Sequence, residues 1–268
     1  MPSTRRSTLA AALALALVAS FSSSTSARAG KEPSAAEIVD KALSKGAVGF
    51  KQGSATLQMT LVTAKGEQKA RSLEIKAMRG KDGLLRSLVK FTTPADVNGT
   101  SFLVVEKKDA LPDQYVYVPK AKVVRRIAAG NASSSFFGSD FTYADLMPLP
   151  MSEKDKVDIQ KLPDAEVGGQ PVYVLQVTPK IEGAPYGKLI TYVHKELMVP
   201  LKIEFFDPSQ KPLKTMRVKK LQKVNGEQVP VEVEMKAESG SRTDLVLEKV
   251  DPNAALTEAD FTEAAMQR

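Results

Sequence analysis

The chain has 268 residues, of which 43% are hydrophobic and 26% are charged, and its formal net charge is +7. Three basic residues, Arg5, Arg6 and Arg28, lie in the first 29 residues, which contain no acid, and subtracting them leaves +4 for the rest of the chain. A charge this small argues against a nucleic-acid partner. The absence of cysteine excludes disulfides and thiolate metal sites.

The N-terminus has the pattern of an export signal. Two arginines precede an apolar run from Leu9 to Phe21, and Ala27 and Ala29 place small residues at the two positions that a signal peptidase recognises. The apolar run is shorter than the ~20 residues that a membrane-spanning helix needs. We therefore predict a signal peptide over residues 1–29, cleaved between Ala29 and Gly30.

A helix is predicted from Lys31 to Val48. Ser34 is the expected N-cap, and Glu37 follows at the spacing of a capping box. Gly46 and Gly49 mark the end of the pattern. The apolar residues within it follow helical spacing: Ile38, Val39, Ala42 and Leu43.

From Gly53 to Val250 the dominant pattern is the β-strand, in short runs of alternating apolar and polar residues. Asn225-Gly226, between two such runs, is the strongest hairpin signal. The predicted strands after Ala55–Leu61 are Leu73–Ala77, Leu84–Phe91, Thr100–Glu106, Tyr115–Val118, Lys122–Ile127, Pro171–Val177, Lys188–Val193, Leu201–Phe206, Leu213–Val224, Val229–Lys236 and Thr243–Val250.

These runs predict a fold that is mainly β with a few helices. About ten strands joined by short turns favour an antiparallel meander, and a sheet of that size curls around its apolar face. The result would be a curved antiparallel half-barrel. Short helices over Phe141–Met147 and Leu256–Met266 would lie across its opening. We expect residues 30–268 to form one domain.

Residues typical of catalysis are scarce. His194 is the only histidine; it follows a predicted strand, where a surface turn is expected, and no Gly-x-Ser-x-Gly sequence is present. One histidine without cysteine excludes the usual zinc ligand sets. Asp140 and Asp145 are interpreted as loop caps for backbone amides rather than as paired catalytic carboxylates. We therefore expect no enzyme activity, no metal and no cofactor.

The apolar face of the sheet is the predicted binding site. Phe136 and Phe137 lie in a loop of small residues, with Gly130 and Gly138 as expected hinges. They would either fill the interior permanently or cover a pocket that admits acyl chains. The predicted lipid-binding residues are Leu57, Met59, Leu61, Leu73, Ile75, Phe91, Phe102, Tyr115, Tyr117, Phe136, Phe137, Phe141, Ile203, Phe205, Met216, Val233 and Met235.

Two groups of basic residues each allow two interpretations. Arg125 and Arg126 are either a solvated strand edge that discourages aggregation or a contact for lipid phosphates or an acidic partner. The second group, which we interpret as another basic face with the same two alternatives, consists of Lys214, Arg217, Lys219 and Lys220.

The segment FTTPADVNGTSFLVVEKKDALPDQYVYVPKAKVVRRIAAGNASSSFFGSDFTYADL resembles the LolA-like outer-membrane lipoprotein-sorting proteins. The residues that carry the resemblance are Phe91, Pro94, Gly99, Thr100, Leu103, Tyr117, Pro119, Arg125, Arg126, Phe137 to Phe141, Asp145 and Leu146, followed later by Pro200, Leu201, Phe205, Thr243 and Leu245. The resemblance implies a half-barrel capped by helices that shields lipoprotein acyl chains in the periplasm.

Together these observations predict a non-enzymatic periplasmic carrier for the acyl chains of a lipoprotein or lipid. The resemblance implies an inner-membrane exporter as donor and an outer-membrane acceptor. The alternative is an accessory protein that docks on an envelope transporter through a basic face and carries no lipid.

Overall fold

A computed structural model describes residues 32–43, 52–108, 110–146, 156–181, 183–224 and 226–268. The predicted signal peptide and its cleavage position between Ala29 and Gly30 lie outside the described residues, as does Asn225 of the predicted hairpin turn. Residues Pro33–Arg268 group into one compact unit.

The first element is the helix α1, Ala35–Leu43. Its N-terminus has the predicted capping box: the Glu37 N–H donates to Ser34 Oγ at 3.3 Å, and the Ser34 N–H donates to Glu37 Oε2 at 2.7 Å. Ile38 and Val39 are buried against side chains of the sheet. The predicted helix began at Lys31, but residues 32–34 precede α1 and are not helical, and Lys31 and residues 44–48 lie outside the described part of the chain.

Thirteen strands form a single sheet. They are β1 (Gln52–Val62), β2 (Gln68–Arg79), β3 (Leu85–Thr93), β4 (Ser101–Lys107), β5 (Ala110–Val118), β6 (Val123–Arg126), β7 (Val157–Val167), β8 (Gln170–Pro179), β9 (Lys188–His194), β10 (Pro200–Phe206), β11 (Pro212–Val224), β12 (Glu227–Ala237) and β13 (Arg242–Asp251).

The expectation of about ten strands was too low, and β7 is the strand that the sequence pattern did not reveal. β7 is an edge strand that pairs only with β8, and most of its second half is exposed. Its register shifts between Leu162 and Ala165, around Pro163. A proline at an edge bulge is tolerated because no ladder hydrogen bond is lost there, but it breaks the alternation on which the prediction depended.

Two antiparallel runs meet in the middle of the sheet. β1–β6 form the first run and β7–β13 the second, and β1 pairs with β13 between them. The strand order is β6-β5-β4-β3-β2-β1-β13-β12-β11-β10-β9-β8-β7, so the sheet is open and β6 and β7 are its free edges.

One face of the sheet carries the largest buried apolar cluster of the described residues. Phe91 of β3 and Val177 of β8 belong to it although their strands lie far apart in the order, so the sheet curls around this face. We call it the concave face. Strand register explains its composition: Leu57, Leu73 and Phe91 are directly opposed on neighbouring strands and therefore share one face.

The C-terminal segment, residues 252–268, covers the opposite, convex face. It contains a 3-10 turn, Glu258–Phe261, and the helix α2, Glu263–Met266. Phe261 and Met266 are buried with Leu88 of β3 and Leu103 of β4. The expectation that a helix over Leu256–Met266 lies across the opening of the half-barrel was therefore wrong. The second expected cap, Phe141–Met147, is a single 3-10 turn over Tyr143–Leu146.

None of the helices in the described ranges has both the length and the apolar character needed to cross a membrane.

Candidate functional site

The connection after β6, residues 127–146, lies over the concave face, and we call it the lid. It contains 3-10 turns at Ala129–Asn131 and Tyr143–Leu146. Between them the chain folds back on itself, because the Phe136 N–H donates to the Phe141 carbonyl at 2.7 Å and Ser135 bridges to Thr142. The central part of the lid is thus a compact loop with its own internal hydrogen bonds.

Phe136 is the apolar anchor of the lid. Its side chain is 2% exposed, and its ring centroid lies 5.8 Å from that of Phe91 and 5.3 Å from that of Phe102. Tyr143 of the lid packs on Phe136 at 5.7 Å. Tilted and edge-on aromatic pairs at these separations are favourable beyond their burial alone. In this structure Phe136 fills the space over β3 and β4.

Phe137 is held in an uncommon backbone conformation. Its φ is 51°, in the left-handed region that few non-glycine residues adopt, and Gly138 follows with a φ of 78°. The ring packs edge-on against Phe91 at 5.0 Å. The Phe137 carbonyl accepts a hydrogen bond from the Arg71 guanidinium at 2.5 Å. Burial lowers the pKa of Arg71, although Asp96 opposes that shift.

Asp140 fixes the lid to the second half of the sheet. Its carboxylate accepts hydrogen bonds from the Ser241 hydroxyl at 2.5 Å and from the Thr243 hydroxyl at 2.7 Å. Its N–H donates to Thr243 Oγ1 at 2.9 Å. Asp140 therefore acts as a loop ligand, as expected, but its carboxylate binds the hydroxyls of Ser241, just before β13, and Thr243, in β13, rather than backbone amides.

Lys214 and Asp145 form a buried ion pair beneath the lid. Their side chains are 7% and 5% exposed, and Lys214 Nζ lies 2.5 Å from Asp145 Oδ2. Lys214 also donates to the Asp140 carbonyl at 3.0 Å and lies 5.2 Å from the centroid of the Phe205 ring. Lys214 is therefore an interior residue, and the expectation that it contributes to a basic surface was wrong.

Tyr186 completes the hydrogen bonding of Asp145. Its hydroxyl donates to Asp145 Oδ1 at 2.7 Å, while the Thr142 N–H donates to Oδ2 at 2.7 Å. Burial, together with the adjacent Asp145 charge, raises the pKa of Tyr186 well above its ordinary value. Within the described residues, no buried side-chain nitrogen or oxygen atom lacks a hydrogen-bond partner. The polar groups under the lid are thus fully satisfied while it is closed.

A cavity of about 280 Å³ lies beside this network. Its lining combines hydroxyl groups, the Lys214–Asp140 contact and a few apolar side chains: Ser133, Ser135, Ser139, Asp140, Phe141, Thr142, Pro185, Tyr186, Leu213 and Lys214. Pockets that hold a drug-sized ligand measure roughly 300–1,000 Å³. With the lid closed, the volume of this cavity lies just below that range.

Comparison with solved structures identifies similar sheets. A domain from Vibrio parahaemolyticus, named as an outer membrane lipoprotein-sorting protein domain, is 28% identical with a TM-score of 0.81, over 87% of this chain and 98% of that chain. A DUF1329 family protein from Desulfovibrio piger is 25% identical with a TM-score of 0.80, over 87% and 98%. A LolA superfamily protein from Nitrosomonas europaea, at 19% identity and a TM-score of 0.69 over 87% and 99%, shares the fold.

A family model described as "Uncharacterized protein" matches residues 83–268, more than half of the chain. The chain belongs to that family, and its fold is LolA-like. The resemblance predicted from the residues around the lid is thereby confirmed. No match was found among curated proteins.

Most of the predicted lipid-binding residues of this LolA-like protein lie on the concave face. Those buried in its apolar cluster are Met59, Leu73, Phe91, Phe102, Phe136, Phe141, Phe205 and Met235. Those that are partly buried and pack against it are Leu57, Leu61, Ile75, Phe137, Ile203 and Met216. Val233 is half-buried beside Leu245 and Val218 in the register of β12, outside the buried cluster.

Tyr115 and Tyr117 lie on the convex face and are corrected here. They pack with Leu103 and Met266, whereas Val116 between them belongs to the concave cluster. Both faces of β5 are apolar because the lid covers one and the C-terminal segment covers the other. The alternation of residues in β5 therefore does not show whether Val116 or its neighbours Tyr115 and Tyr117 face the concave side.

Arg125 and Arg126 lie on the edge strand β6, and neither contacts the lid-holding network. Arg126 forms an ion pair with Asp113, to which Lys107 also binds. Burial of Asp113 favours its neutral form, but the hydrogen bonds from Lys107 and Arg126 outweigh burial and lower the pKa of this carboxyl.

His194 is buried, with 6% exposure, so the expected surface histidine is corrected to an interior one. Its Nδ1 accepts hydrogen bonds from the backbone N–H groups of Glu196 at 3.1 Å and Leu197 at 3.2 Å. The other ring nitrogen, Nε2, lies 3.1 Å from Gln170 Oε1, to which it donates in the neutral tautomer. These contacts give it a structural role in the turn after β9. In the described ranges, no group of three or more histidine, aspartate or glutamate side chains could hold a metal ion.

Sequence reasoning missed Arg71, Tyr186 and the interior role of Lys214. A signal for two of them was present: Arg71 shares its strand phase with Leu73, and Lys214 shares its phase with Met216. A basic residue in the inward phase of a half-buried strand must have a buried partner, and here the partner is the lid.

Proposed function

We propose that this protein is a non-enzymatic periplasmic carrier, which binds the acyl chains of a lipoprotein or lipid against the concave face and moves them toward the outer membrane. The observation that carries the proposal is that two phenylalanines of the lid cover the apolar concave face of the sheet. Phe136 and Phe137 occupy an apolar surface on Phe91 and Phe102, and side-chain contacts rather than strand pairing hold them there.

The energetics favour reversible exchange. Apolar contacts that the lid loses on opening are replaced by contacts with acyl chains, and both are worth ~25 cal/mol per Å² of apolar surface. The apolar part of the free-energy difference between the closed and the loaded state is therefore small. A carrier requires such a balance, because cargo must enter at one membrane and leave at another.

The polar contacts of the lid set the barrier to opening. Arg71, Thr243 and Lys214 each donate a hydrogen bond to it, and hydrogen bonds that involve a charged group are worth about 1.5–3 kcal/mol each. These contacts are strong enough to keep the empty lid closed. To offset the loss of these hydrogen bonds, the acyl chains of the cargo have to bury more apolar surface than the closed lid does.

The comparisons support the class of cargo. The Vibrio parahaemolyticus relative, at 28% identity, is named for outer membrane lipoprotein sorting. The same task here involves an inner-membrane exporter as donor and an outer-membrane acceptor. It also agrees with the signal peptide predicted over residues 1–29, which would deliver the chain to the periplasm.

Native mass spectrometry of the protein purified from an envelope fraction tests the proposal. We expect co-purifying lipid or lipopeptide, together with saturable binding of a fluorescent fatty acid. The matched pair of variants is Phe136→Ala under the lid and Phe261→Ala on the convex face, since both residues are buried phenylalanines, with exposures of 2% and 5%.

Only Phe136→Ala should change fatty-acid affinity, whereas both should lower stability. A protein that carries no lipid and binds no fatty acid would overturn the carrier and favour the accessory role on an envelope transporter. If the two variants change fatty-acid binding equally, the site is not under the lid.

A further inference from the structure

The β5–β6 hairpin lies in a positively charged stretch of the chain. Residues 114–139 contain four basic residues, Lys120, Lys122, Arg125 and Arg126, and no aspartate or glutamate. A second stretch, residues 208–226, has six basic residues and no acid, but Lys214 is buried in an ion pair with Asp145 and Lys220 pairs with Glu232. A run of cations without acids creates a local positive potential that favours anionic partners.

The β5–β6 hairpin presents this charge at its tip. Pro119 to Lys122 form the turn, in which the N–H groups of Ala121 and Lys122 both donate to the Val118 carbonyl at 3.0 Å. Lys120 and Lys122 are exposed. Among the described residues, no ion-pair partner exists for Lys120, Lys122 or Arg125. The tip is therefore a hydrogen-bonded turn that carries unpaired cations.

Two exposed apolar side chains flank these cations. Val118 and Val123 are 37% and 43% exposed, and they are directly opposed across the hairpin. Large apolar side chains with this much exposure are rare in the described chain; the only others are Leu111 and Val246. β6 is an edge strand, so no further strand covers the pair.

The same hairpin adjoins the lid. Val118 shares its strand phase with Val116, which belongs to the concave cluster, and β6 continues directly into residues 127–146. Whatever binds the tip is therefore placed at the edge of the face that the lid covers. Apolar side chains interleaved with unpaired lysines suit the boundary between anionic headgroups and acyl chains of a bilayer surface.

We propose that the tip of the β5–β6 hairpin, residues 118–125, docks on an anionic phospholipid surface. Val118 and Val123 insert between headgroups while Lys120, Lys122 and Arg125 contact lipid phosphates. This adds a membrane-docking surface to the proposed carrier and is independent of the cargo, because it uses exposed residues and leaves the closed lid in place.

Vesicle flotation tests the proposal with the full chain that remains after export. Vesicles of phosphatidylcholine mixed with phosphatidylglycerol are compared with vesicles of phosphatidylcholine alone. We expect binding to the anionic vesicles, lost on adding salt because the Debye length shortens to about 3 Å at 1 M. Lys120→Glu with Lys122→Glu should weaken binding about 10-fold or more.

The matched control is Lys219→Glu with Lys223→Glu on β11, which makes the same change in net charge at two other exposed lysines. A second variant, Val118→Ser with Val123→Ser, keeps the charge and should weaken binding to the anionic vesicles at low salt, because it removes the apolar side chains that insert between headgroups. Fatty-acid binding is measured on every variant and should be unchanged, which separates this docking surface from the carrier function.

Equal binding to neutral and anionic vesicles would overturn the proposal, as would an equal loss in the hairpin variant and the β11 control. Failure to bind either vesicle would also overturn it and would assign the exposed tip to a protein partner. None of these outcomes changes the result of the fatty-acid binding assay, which tests the carrier function separately.

Discussion

The lid and the C-terminal segment cover the same strands from opposite sides, yet they are attached differently. Both bury aromatic and aliphatic side chains against β3 and β4. Apart from local bonds to Asp251, which it directly follows, the C-terminal segment bonds to one half of the sheet: Lys76 pairs with Asp260 at 3.2 Å, and Ser101 Oγ donates to the Met266 carbonyl at 2.9 Å. The lid bonds to both halves, through Arg71 of β2, Lys214 of β11 and Thr243 of β13.

Under the proposed function, this difference distinguishes a permanent cover, the C-terminal segment, from an exchangeable one, the lid. The C-terminal segment packs on the β2–β5 part of the sheet. The lid spans the curl of the sheet, so releasing it frees the concave face and also removes a link between the two halves. The following predictions test that distinction, from the largest expected effect to the smallest.

Removing the anchor of either cover should lower stability strongly. Phe136→Ala and Phe261→Ala each delete a buried aromatic side chain, at a cost of about 3–5 kcal/mol in the free energy of unfolding. Urea unfolding measures both losses. The distinction between the covers is wrong if Phe261→Ala also alters the rate at which a fluorescent fatty acid binds.

Breaking the buried ion pair should cost nearly as much. Lys214→Met removes the cation that faces Asp145 and leaves that carboxylate buried with fewer partners, a loss of about 3–5 kcal/mol when a buried charge is left unpaired. Lys219→Met, on the exposed side of the same strand, serves as the control and should change the unfolding free energy little. A loss below about 1 kcal/mol for Lys214→Met would contradict the prediction, because it is the value typical of a solvent-exposed ion pair.

Weakening one polar contact of the lid should open it without unfolding the sheet. Thr243→Val keeps the side-chain shape but removes the hydroxyl that bonds to Asp140, at an expected cost of about 1.5–3 kcal/mol. Because the chain has no native cysteine, a dye attached through Ser134→Cys reports on the lid alone. Its fluorescence should move toward the fatty-acid-bound value in Thr243→Val. Thr191→Val should leave it unchanged.

The attachment of the C-terminal segment should weaken modestly in acid. The Thr257 N–H lowers the pKa of Asp260, partial burial opposes this, and Lys76 adds to the lowering. A carboxyl whose folded pKa lies below its unfolded pKa stabilises the fold above the unfolded value and loses that contribution as pH falls through the folded value. The Tm difference between the parent protein and Asp260→Asn should therefore shrink on acidification. Fatty-acid affinity should not differ between the two.

Much of the sheet followed from alternation in the sequence, because a half-buried strand imposes a period of two. Leu57, Leu73 and Phe91 were assigned to one face for that reason, and they share it. The method failed where both faces are apolar, as at Tyr115 and Tyr117, and where an edge strand is mostly solvated, as in β7. When both faces of a strand are apolar, the sequence alone does not show which residues face the concave side, because that depends on which segments cover each face.

The contacts that hold the lid could not be predicted from the sequence, for a different reason. Asp140 meets Thr243, and Asp145 meets Lys214, across separations of 103 and 69 residues. Such partners can be identified only when the register of the strands is known in both halves of the sheet, which meet where β1 pairs with β13. The local signals, a lysine in an inward phase and two aspartates in a lid, predict that buried partners exist without identifying them.

The seam between β1 and β13 also bears on how the chain folds. Ser54 pairs with Asp251 and Val62 with Arg242, so the central ladder of the sheet joins strands from the two ends of the chain. Loop closure over so many residues is slow and must precede the contacts that reward it. A chain that crosses a membrane with its N-terminus first cannot complete this ladder until β13 has emerged. Under the proposed export, the order of the strands therefore keeps the sheet incomplete until β13 has crossed the membrane.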